Sequence, residues 1–461
     1  MERAKKEADL TPEERLQAAL VPDWEWPYKL PENWCWVRLY SLAHIISKGT
    51  TPKGGKDAYV EKGIRFLRIE NINEDGSISH ENIKHITEEM HTGFLRRSIL
   101  CKDDILISIA GTLGKTGIVG EADLPLNTNQ AISFVRLIRG NLLPQYIKMS
   151  IDNPKTQDML ISQTKVTSIP NLTLEIIGNC AIPLAPLAEQ HRIVDRIESL
   201  FTKLDEAKEK AQAVVDSFET RKAAILHKAF TGELTAKWRE EHGVGMESWE
   251  VRTLDSVCSS IFDGDHMPPP KAESGIPFLV ISNVNTGHLT FENTRFVPQE
   301  YYDTLSDTRK PQLGDVLYTL VGSFGIPVVV NSKRPFCFQR HMALLRPIDV
   351  SPQFLWYILQ TPEMYDKASS IATGTAQLTV PIKGLRAMTI PRPKIAEQVE
   401  IVRILDGFFA REQSAKEAAE AVLDQIDLMK KSILARAFRG ELGTNDPSEE
   451  SAVELLKRTI L

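Results

Sequence analysis

Residues 182–197 read IPLAPLAEQHRIVDRI, and residues 390–405 read IPRPKIAEQVEIVRIL. The two stretches align without a gap at a constant offset of 208 residues, and the alignment continues to residues 234 and 442, where KAFTGEL aligns with RAFRGEL. Of the 53 aligned positions 23 are identical, against roughly three expected for unrelated residues of average composition. The chain therefore contains an internal repeat, and prolines followed by an amphipathic run predict that each copy begins a long helix.

Each copy continues with apolar residues at alternating steps of three and four, a 3.5-residue period that is typical of coiled coils. Arg221 and Glu412 interrupt the two series once each. About 40 residues per helix correspond to roughly 60 Å, and we expect the two helices to pack on each other antiparallel. The predicted pairing residues are Ile193, Ile197, Leu200, Leu204, Ala207, Ala211, Val214, Phe218, Ile225, Ile401, Leu405, Phe408, Ala415, Ala419, Val422, Ile426, Met429 and Ile433.

The repeat extends upstream into stretches that are typical of strands. GIRFLRIENI (63–72) matches GIPFLVISNV (275–284), and KDDILISIAGTLG (102–114) matches LGDVLYTLVGSFG (313–325). Each copy thus predicts a strand-rich domain followed by a long helix, which gives an α+β fold with pseudo-two-fold symmetry. The predicted segments are an N-terminal helix and linker (1–30), a first domain (31–185), a first long helix (186–234), a connector (235–248), a second domain (249–393), a second long helix (394–442) and a tail with a short helix (443–461).

Composition places the chain among ordinary soluble proteins. It has 461 residues, of which 42% are apolar and 25% charged, and no apolar run approaches the length of a membrane span. The five cysteines are widely spaced and the N-terminus is charged, so we expect free thiols and a cytoplasmic location. The net charge of −6 means that any positive surface for nucleic acid is local or shared with partners.

The stretch ISIAGTLGKTG (107–117) resembles a phosphate-binding loop because it contains Lys115-Thr116. The first glycine of the G-x-x-x-x-G-K-[ST] pattern is missing. In the second copy the glycines recur, whereas Ile326-Pro327 stands in place of Lys-Thr. The shared element is therefore a strand, a glycine turn and a second strand, and it predicts a hairpin in each copy.

His80 and His85 resemble the two ligands of a zinc-protease helix. Their spacing is one residue too long to place both imidazoles on one helical face. In the second copy Phe291 and Phe296 occupy the matching positions. We therefore predict no metal site.

Two similar domains on a rod suit a ligand with two separated contact sites. Duplex DNA is one such ligand, because half-sites about one helical turn (roughly 34–36 Å) apart lie on one face of the double helix. A bivalent scaffold that holds two proteins would have the same sequence pattern. A nucleotide hydrolase is a distant third interpretation.

Four features of the chain occur in both copies. They are the AEQ motif at the start of each long helix, the helix ends KAFTGEL and RAFRGEL, the domain openings PENWCWVRL and ESWEVRTL, and the strands GIRFLRIENI and GIPFLVISNV. Together they resemble the specificity (S) subunit of type I restriction–modification systems. The resemblance covers about residues 30–443. It implies two target recognition domains, each reading one half of a split DNA sequence in a phage-defence complex. It also implies helices that set the gap between the halves and dock two adenine-N6 methyltransferase (M) subunits, to which restriction (R) subunits are added in some complexes.

The resemblance further implies a chain without catalytic residues or cofactors of its own. S-adenosylmethionine would belong to the methyltransferase partner, and ATP and Mg to a restriction subunit. The sequence agrees, because it has no N/D-P-P-Y/F methylation motif and no glycine-rich S-adenosylmethionine loop.

Polar loops at matching places in the two copies are the candidate DNA-contacting segments. Arg and Lys suit guanine and phosphate, Asn and Gln suit adenine, and Ser and Thr suit either. Arg340 is the strongest single candidate, because it lies in a polar cluster ahead of a strand-like run. The predicted DNA-binding residues are Thr50, Thr51, Lys53, Thr112, Lys115, Thr116, Asn127, Asn129, Gln130, Asp265, His266, Ser323, Phe324, Gln339, Arg340 and His341.

Overall fold

The computed structural model describes residues 10–164, 170–264, 266, 268–375 and 377–461. They form two compact units. The first unit contains the described residues up to Lys210 together with Val422–Leu461, and the second contains those of Ala211–Ala421. Each unit therefore includes one strand-rich domain and parts of both long helices. Within the described ranges, no helix combines the length and apolar character that a membrane crossing requires.

The first half of the chain alternates short strands and helices. Its strands are β1 (Cys35–Arg38), β2 (Ala43–Lys48), β3 (Ile64–Leu67), β4 (Lys84–Ile86), β5 (Ile105–Ser108), β6 (Thr116–Ile118), β7 (Leu126–Thr128), β8 (Ile132–Leu137) and β9 (Ala181–Leu184). Its helices are α1 (Pro12–Ala19), α2 (Leu39–Leu42), α3 (Glu88–Thr92), α4 (Pro144–Asp152), α5 (Pro154–Ser162), α6 (Leu174–Asn179), α7 (Leu187–Asp216) and α8 (Phe218–Phe230). β1 pairs with β9, and the other sheets have the orders β2-β8-β5-β6 and β4-β3-β7.

The second half repeats this topology. Its strands are β10 (Glu250–Thr253), β11 (Cys258–Asp263), β12 (Ile276–Leu279), β13 (Arg295–Val297), β14 (Val316–Thr319), β15 (Pro327–Val329), β16 (Cys337–Phe338), β17 (Met342–Pro347) and β18 (Thr389–Arg392). Its helices are α9 (Ala236–Glu241), α10 (Leu254–Val257), α11 (Gln299–Thr304), α12 (Pro352–Leu359), α13 (Pro362–Ile371), α14 (Ile382–Ala387), α15 (Ile395–Ala437) and α16 (Ala452–Ile460). β10 pairs with β18, and the other sheets have the orders β11-β17-β14-β15 and β13-β12-β16, so the predicted duplication of an α+β fold is confirmed.

The central strand of each domain is buried on both faces, which explains its unbroken apolar sequence. Side chains of a strand alternate between faces, so Ile105 and Ile107 of β5 join the cluster that contains Tyr146 of α4, while Leu106 joins a separate cluster. The second unit repeats this division with Val316 and Leu317 of β14, which lie in different clusters.

Both predicted hairpins are confirmed. β5 pairs with β6, and β14 pairs with β15, each antiparallel. Gly111 and Gly114 have φ values of 73° and 77°, and Gly322 and Gly325 have 71° and 92°, which is the left-handed region that glycine adopts without strain. A strand, not a helix, follows each turn, so Lys115-Thr116 does not form a phosphate-binding loop.

The two long helices differ in continuity. The second, α15, is unbroken over 43 residues, whereas the first is divided into α7 and α8 at Ser217. The Ser217 hydroxyl donates to the Ala213 carbonyl at 2.5 Å, and serine bonds of this kind to the preceding turn bend helices. Gln425 occupies the matching position in α15, so that helix lacks the competing bond.

Within each unit the long helices pair antiparallel. In the first unit Asp205 lies 2.5 Å from Lys430, and three residues further along α7, Lys208 lies 3.7 Å from Asp427, three residues earlier in α15. In the second unit Arg221, which interrupts one apolar series, lies 2.7 Å from Glu412, which interrupts the other. The two interruptions therefore compensate each other across the helix pair.

Three predicted pairing residues are wrong, because Ala415, Val422 and Met429 are exposed. The next positions, Lys416 and Lys430, face the partner helix instead: their ammonium groups lie 5.0 Å and 5.1 Å from the ring centroids of Phe218 and Phe201. The apolar periodicity does not predict these lysines as pairing residues, because a lysine stem covers apolar surface while its charge remains solvated. The other predicted pairing residues are buried or half-buried.

The AEQ motif fixes the start of each long helix. Glu189 accepts a hydrogen bond from the Trp34 indole at 2.8 Å, and Glu397 accepts one from the Trp249 indole at 2.9 Å. Each following glutamine accepts a backbone N–H from the α4 or α12 helix start, at Leu143 or Ser351. The repeated letters E and Q therefore tie each long helix to the domain of its own unit.

The described residues 10–30 and the C-terminal tail belong to the first unit. The predicted N-terminal helix is α1, which begins with a capping box of Thr11 and Glu14, and the predicted C-terminal helix is α16. Thr444 donates to Glu189 at 3.3 Å, and Arg192 forms a two-fold hydrogen bond with Glu449. The tail thus contacts the helix start of the first unit.

Candidate nucleic-acid interface

In the first unit, three of the predicted polar loops meet at one end of the β2-β8-β5-β6 sheet. The backbone N–H of Thr50 donates to the Thr128 carbonyl at 3.1 Å, which joins the loop after β2 to the turn between β7 and β8. The backbone N–H of Ile109 donates to the Ala131 carbonyl at 2.8 Å, which joins the glycine turn to the same β7–β8 turn. We call these three loops the first rim.

A glycine permits this close approach. A Cβ atom at Gly49 would lie 2.1 Å from the Asn129 carbonyl oxygen and 2.3 Å from that of Thr128. Such distances are far inside van der Waals contact, so no other residue fits there without moving the backbone. Gly49 therefore fixes the position of the β7–β8 turn against the loop after β2.

The second unit builds the same arrangement, which we call the second rim. The backbone N–H of Gly264 donates to the Met342 carbonyl at 3.3 Å, and that of Leu320 donates to the His341 carbonyl at 2.8 Å. A Cβ atom at Gly264 would lie 2.2 Å from the Phe338 carbonyl oxygen. The loops that the sequence singled out in each copy are therefore neighbours in space.

The first rim presents mixed polar side chains to solvent. Thr51, Lys53, Thr112 and Gln130 are exposed, while Thr50, Lys115 and Asn129 are half-buried. The Lys53 ammonium lies 5.1 Å from the ring centroid of Phe94, which is itself 52% exposed. Phe94 follows α3 and borders the first rim through this contact. Sequence reasoning missed it because its signal is a single aromatic residue in a polar loop.

Two predicted DNA contacts of the first domain are structural. Thr116 is buried, and its hydroxyl donates to the Asp152 carboxylate. Asn127 is fully buried, and its amide donates to the Leu95 carbonyl at 3.2 Å and contacts Nδ1 of His91 at 3.1 Å. Burial lowers the pKa of His91, which favours the neutral imidazole as an acceptor. These two predictions are wrong, because polar residues on β6 and β7 point into the domain.

The second rim differs from the first in its exposed groups. Ser323 and Arg340 are exposed. The Gln339 amide lies 3.1 Å from Nδ1 of His341, and Nε2 of His266 lies 2.9 Å from Asp263, so these three predicted residues are engaged within the rim. Asp265, also predicted to contact DNA, lies outside the described residues.

Phe324 is a further correction. It is 7% exposed and stacks on Tyr365 with ring centroids 5.4 Å apart. Its side chain therefore packs the glycine turn onto α13, and the prediction that it contacts DNA is wrong.

Buried charge pairs hold the sheet beneath each rim. Arg136 donates to Asp104 at 2.7 Å, and Arg346 donates to Asp315 at 3.0 Å. The aspartates are nearly inaccessible, and each arginine also donates to a backbone carbonyl, that of Ile99 or Lys310. These arginines are structural, which leaves Lys53, Lys115 and Arg340 as rim cations that form no ion pair among the residues that the structure describes.

The sequence model of the family described as "Type I restriction modification DNA specificity domain" matches residues 31–215 and 246–423. The chain belongs to this family. Both matches include a strand-rich domain and part of a long helix, so the family unit coincides with the repeat.

Similar proteins and structures agree with this assignment. The chain is 24% identical over 437 residues to the EcoKI specificity subunit of Escherichia coli, with 90% of each chain covered. It is 26% identical over 441 residues to the MjaVIII specificity subunit of Methanocaldococcus jannaschii, with 90% of this chain and 94% of the relative covered.

Solved structures of this class have the same fold. The HsdS subunit from Thermoanaerobacter tengcongensis superposes with a TM-score of 0.59 at 22% identity, over 91% of this chain and all of that one. A chain from a study of complex assembly and conformational transition of the type I R-M system gives 0.68 at 22% identity, over 90% of this chain and all of that one. As a member of the specificity family, this chain is a non-catalytic component of a type I restriction–modification system.

Proposed function

We propose that the chain reads a bipartite DNA sequence, with one half-site contacted by the first rim and the other by the second. The observation that carries the proposal is the pair of equivalent rims with unlike exposed side chains, Gln130 on one and Arg340 on the other. Two copies of one scaffold with different surface groups suit a target whose halves differ.

The long helices supply docking surfaces for methyltransferase subunits. In the first unit, Val422 and Met429, which lie about two turns apart on one face of α15, are 41% and 47% exposed. In the second unit, Ile395 and Val399 at the start of α15 are 57% and 59% exposed. Apolar groups clustered on a helix surface are typical of protein interfaces, and two such surfaces accommodate two methyltransferase subunits.

The chain supplies recognition, and its partners supply the chemistry. S-adenosylmethionine binds to the methyltransferase subunits, while ATP and Mg are used by restriction subunits where these join the complex. The rim carries few cations and the net charge is −6, so phosphate binding is shared with the partners. We expect the complex to act in the cytoplasm.

The test is reconstitution with the methyltransferase subunits of the same system. N6-methyladenine is mapped by sequencing DNA from a host that has no other adenine methylation. One split sequence should be methylated by the complex, and by neither protein alone. A stable complex that methylates without sequence preference would contradict DNA reading and favour a bivalent protein scaffold.

A further inference from the structure

The β7–β8 turn of the first rim and the β16–β17 turn of the second are the same structural element. In each, a backbone N–H donates back across the turn, from Ile132 to Asn129 at 3.3 Å and from Met342 to Gln339 at 3.2 Å. The backbone of each turn also lies against a glycine of a neighbouring loop, Gly49 in the first unit and Gly264 in the second. The position between these anchors holds Gln130 in one unit and Arg340 in the other.

Neighbouring polar groups in each turn are already engaged. The Asn129 side-chain oxygen accepts the backbone N–H of Ala131 at 3.1 Å. The Gln339 amide contacts the His341 ring. Gln130 and Arg340 are exposed, and no hydrogen bond or ion pair of either side chain occurs within the described ranges. A turn anchored at both ends therefore presents one free, multidentate side chain.

We propose that Gln130 and Arg340 are matched specificity-determining residues, and that they read different bases. This inference rests on the proposed DNA-reading function. A glutamine amide pairs with N6 and N7 of adenine, and an arginine guanidinium pairs with O6 and N7 of guanine. The half-site of the first unit therefore contains an adenine recognised by Gln130, and that of the second contains a guanine recognised by Arg340.

The geometry favours base contact over phosphate contact for this position. Both turns are held by backbone bonds to two neighbouring loops, so the side chain is presented from a rigid base, which bidentate recognition requires. Lys53 and Lys115 flank the first turn with flexible single charges that suit phosphate. One matched position that carries an amide in one copy and a guanidinium in the other suits reading of different bases, because an amide is a poor phosphate neutraliser.

The test uses the full chain in complex with its methyltransferase subunits. Arg340→Ala, Arg340→Gln and Gln130→Arg are compared with wild type on a library in which every position of the mapped target is varied. Arg334→Ala is the matched control, because Arg334 is an exposed arginine of the same unit. It lies before β16, outside the β16–β17 turn, and its guanidinium is 5.0 Å from the centroid of the Phe291 ring. Thermal unfolding confirms that each variant is folded.

Arg340→Ala should lower the preference for guanine at a single position of one half-site by on the order of 10- to 100-fold, and leave the other half-site unchanged. Arg340→Gln should move that preference toward adenine, and Gln130→Arg should move one adenine of the other half-site toward guanine. Arg334→Ala should leave all preferences unchanged.

Three outcomes would overturn the inference while wild type still methylates selectively. The first is a uniform loss of methylation at all sequences, which indicates a phosphate contact. The second is an unchanged base preference when either residue is substituted. The third is a mapped half-site of the second unit that contains no guanine. Absence of selective methylation by wild type would instead overturn the proposed function.

Discussion

Glu397 and Glu189 are the same repeat position in two electrostatic environments, and this difference allows a sharp stability prediction. Glu397 is 1% exposed, and its carboxylate accepts hydrogen bonds from Arg239 and Thr235 at 2.7 Å and from the Trp249 indole at 2.9 Å. Arg239 is itself 7% exposed. Glu397→Ala leaves this guanidinium buried without its counter-charge, which costs about 3–5 kcal/mol.

The matched change in the first unit removes no buried ion pair. Glu189 accepts from Trp34 and Thr444, and its nearest cation, Arg192, is 40% exposed and paired with Glu449. Glu189→Ala therefore leaves only neutral donors unsatisfied, which costs about 1–3 kcal/mol. Adding Arg239→Met to Glu397→Ala should recover part of the loss, because the uncompensated charge is then gone.

Urea unfolding of the full-length chain, followed by circular dichroism and tryptophan fluorescence, measures these free energies. The expected order of stability is wild type, then Glu189→Ala, then Glu397→Ala, with the Arg239→Met double variant above the Glu397→Ala single variant. Equal losses for the two alanine variants, or a further loss on adding Arg239→Met, would refute the reasoning.

Three further predictions follow from the fold. Glu189→Gln should be less destabilising at about pH 8 than at about pH 4.5. Burial raises the pKa of Glu189, so the neutral carboxyl stabilises the wild-type fold at low pH and this stabilisation is lost as the pH rises through that pKa. Urea unfolding at both pH values measures the difference, and a difference that does not depend on pH would contradict the prediction. Gly264→Ala should lower the free energy of unfolding by about 1–3 kcal/mol and weaken recognition of one half-site, because its Cβ would lie too close to the Phe338 carbonyl oxygen. Gly407→Ala within α15 should instead raise the free energy of unfolding by about 0.5–1 kcal/mol. Thermal unfolding measures the stability of both variants, and methylation mapping measures recognition. Ile426→Glu should lower the free energy of unfolding by about 3 kcal/mol or more, because Ile426 is 3% exposed in the helix pair. Met429→Glu should change it by no more than about 0.5 kcal/mol, and should reduce co-purification of the methyltransferase. Similar losses of stability for the two variants would mean that the helix register is wrong.

The repeat predicts most of the architecture because local and tertiary signals agree there. The long helix α7 begins at Leu187, directly after Pro186, as expected, although Pro183 lies in strand β9. The glycine turn at 111–114 forms a hairpin rather than a phosphate loop. A feature that the fold needs, such as the glycine turn, recurs in both copies, whereas an accidental motif such as Lys115-Thr116 does not.

Other features depend on tertiary partners that a single sequence does not reveal. Lys416 and Lys430 face the partner helix because aromatic rings and an aspartate there accept a lysine, so a pattern of apolar letters misses them. Thr116 and Asn127 look like surface polar residues, but internal acceptors and donors hold them inside the domain. Arg239 shows no periodicity or motif, and its role appears only once Glu397 is seen beside it.

The central claim is that each unit reads its own half of one DNA target. The most direct measurement exchanges residues 250–385 for those of a relative with a different target and maps N6-methyladenine produced by the complex. One half-site should change to that of the donor while the other half-site stays as in wild type. A chimera that folds and methylates, yet alters both halves or neither, would contradict the account.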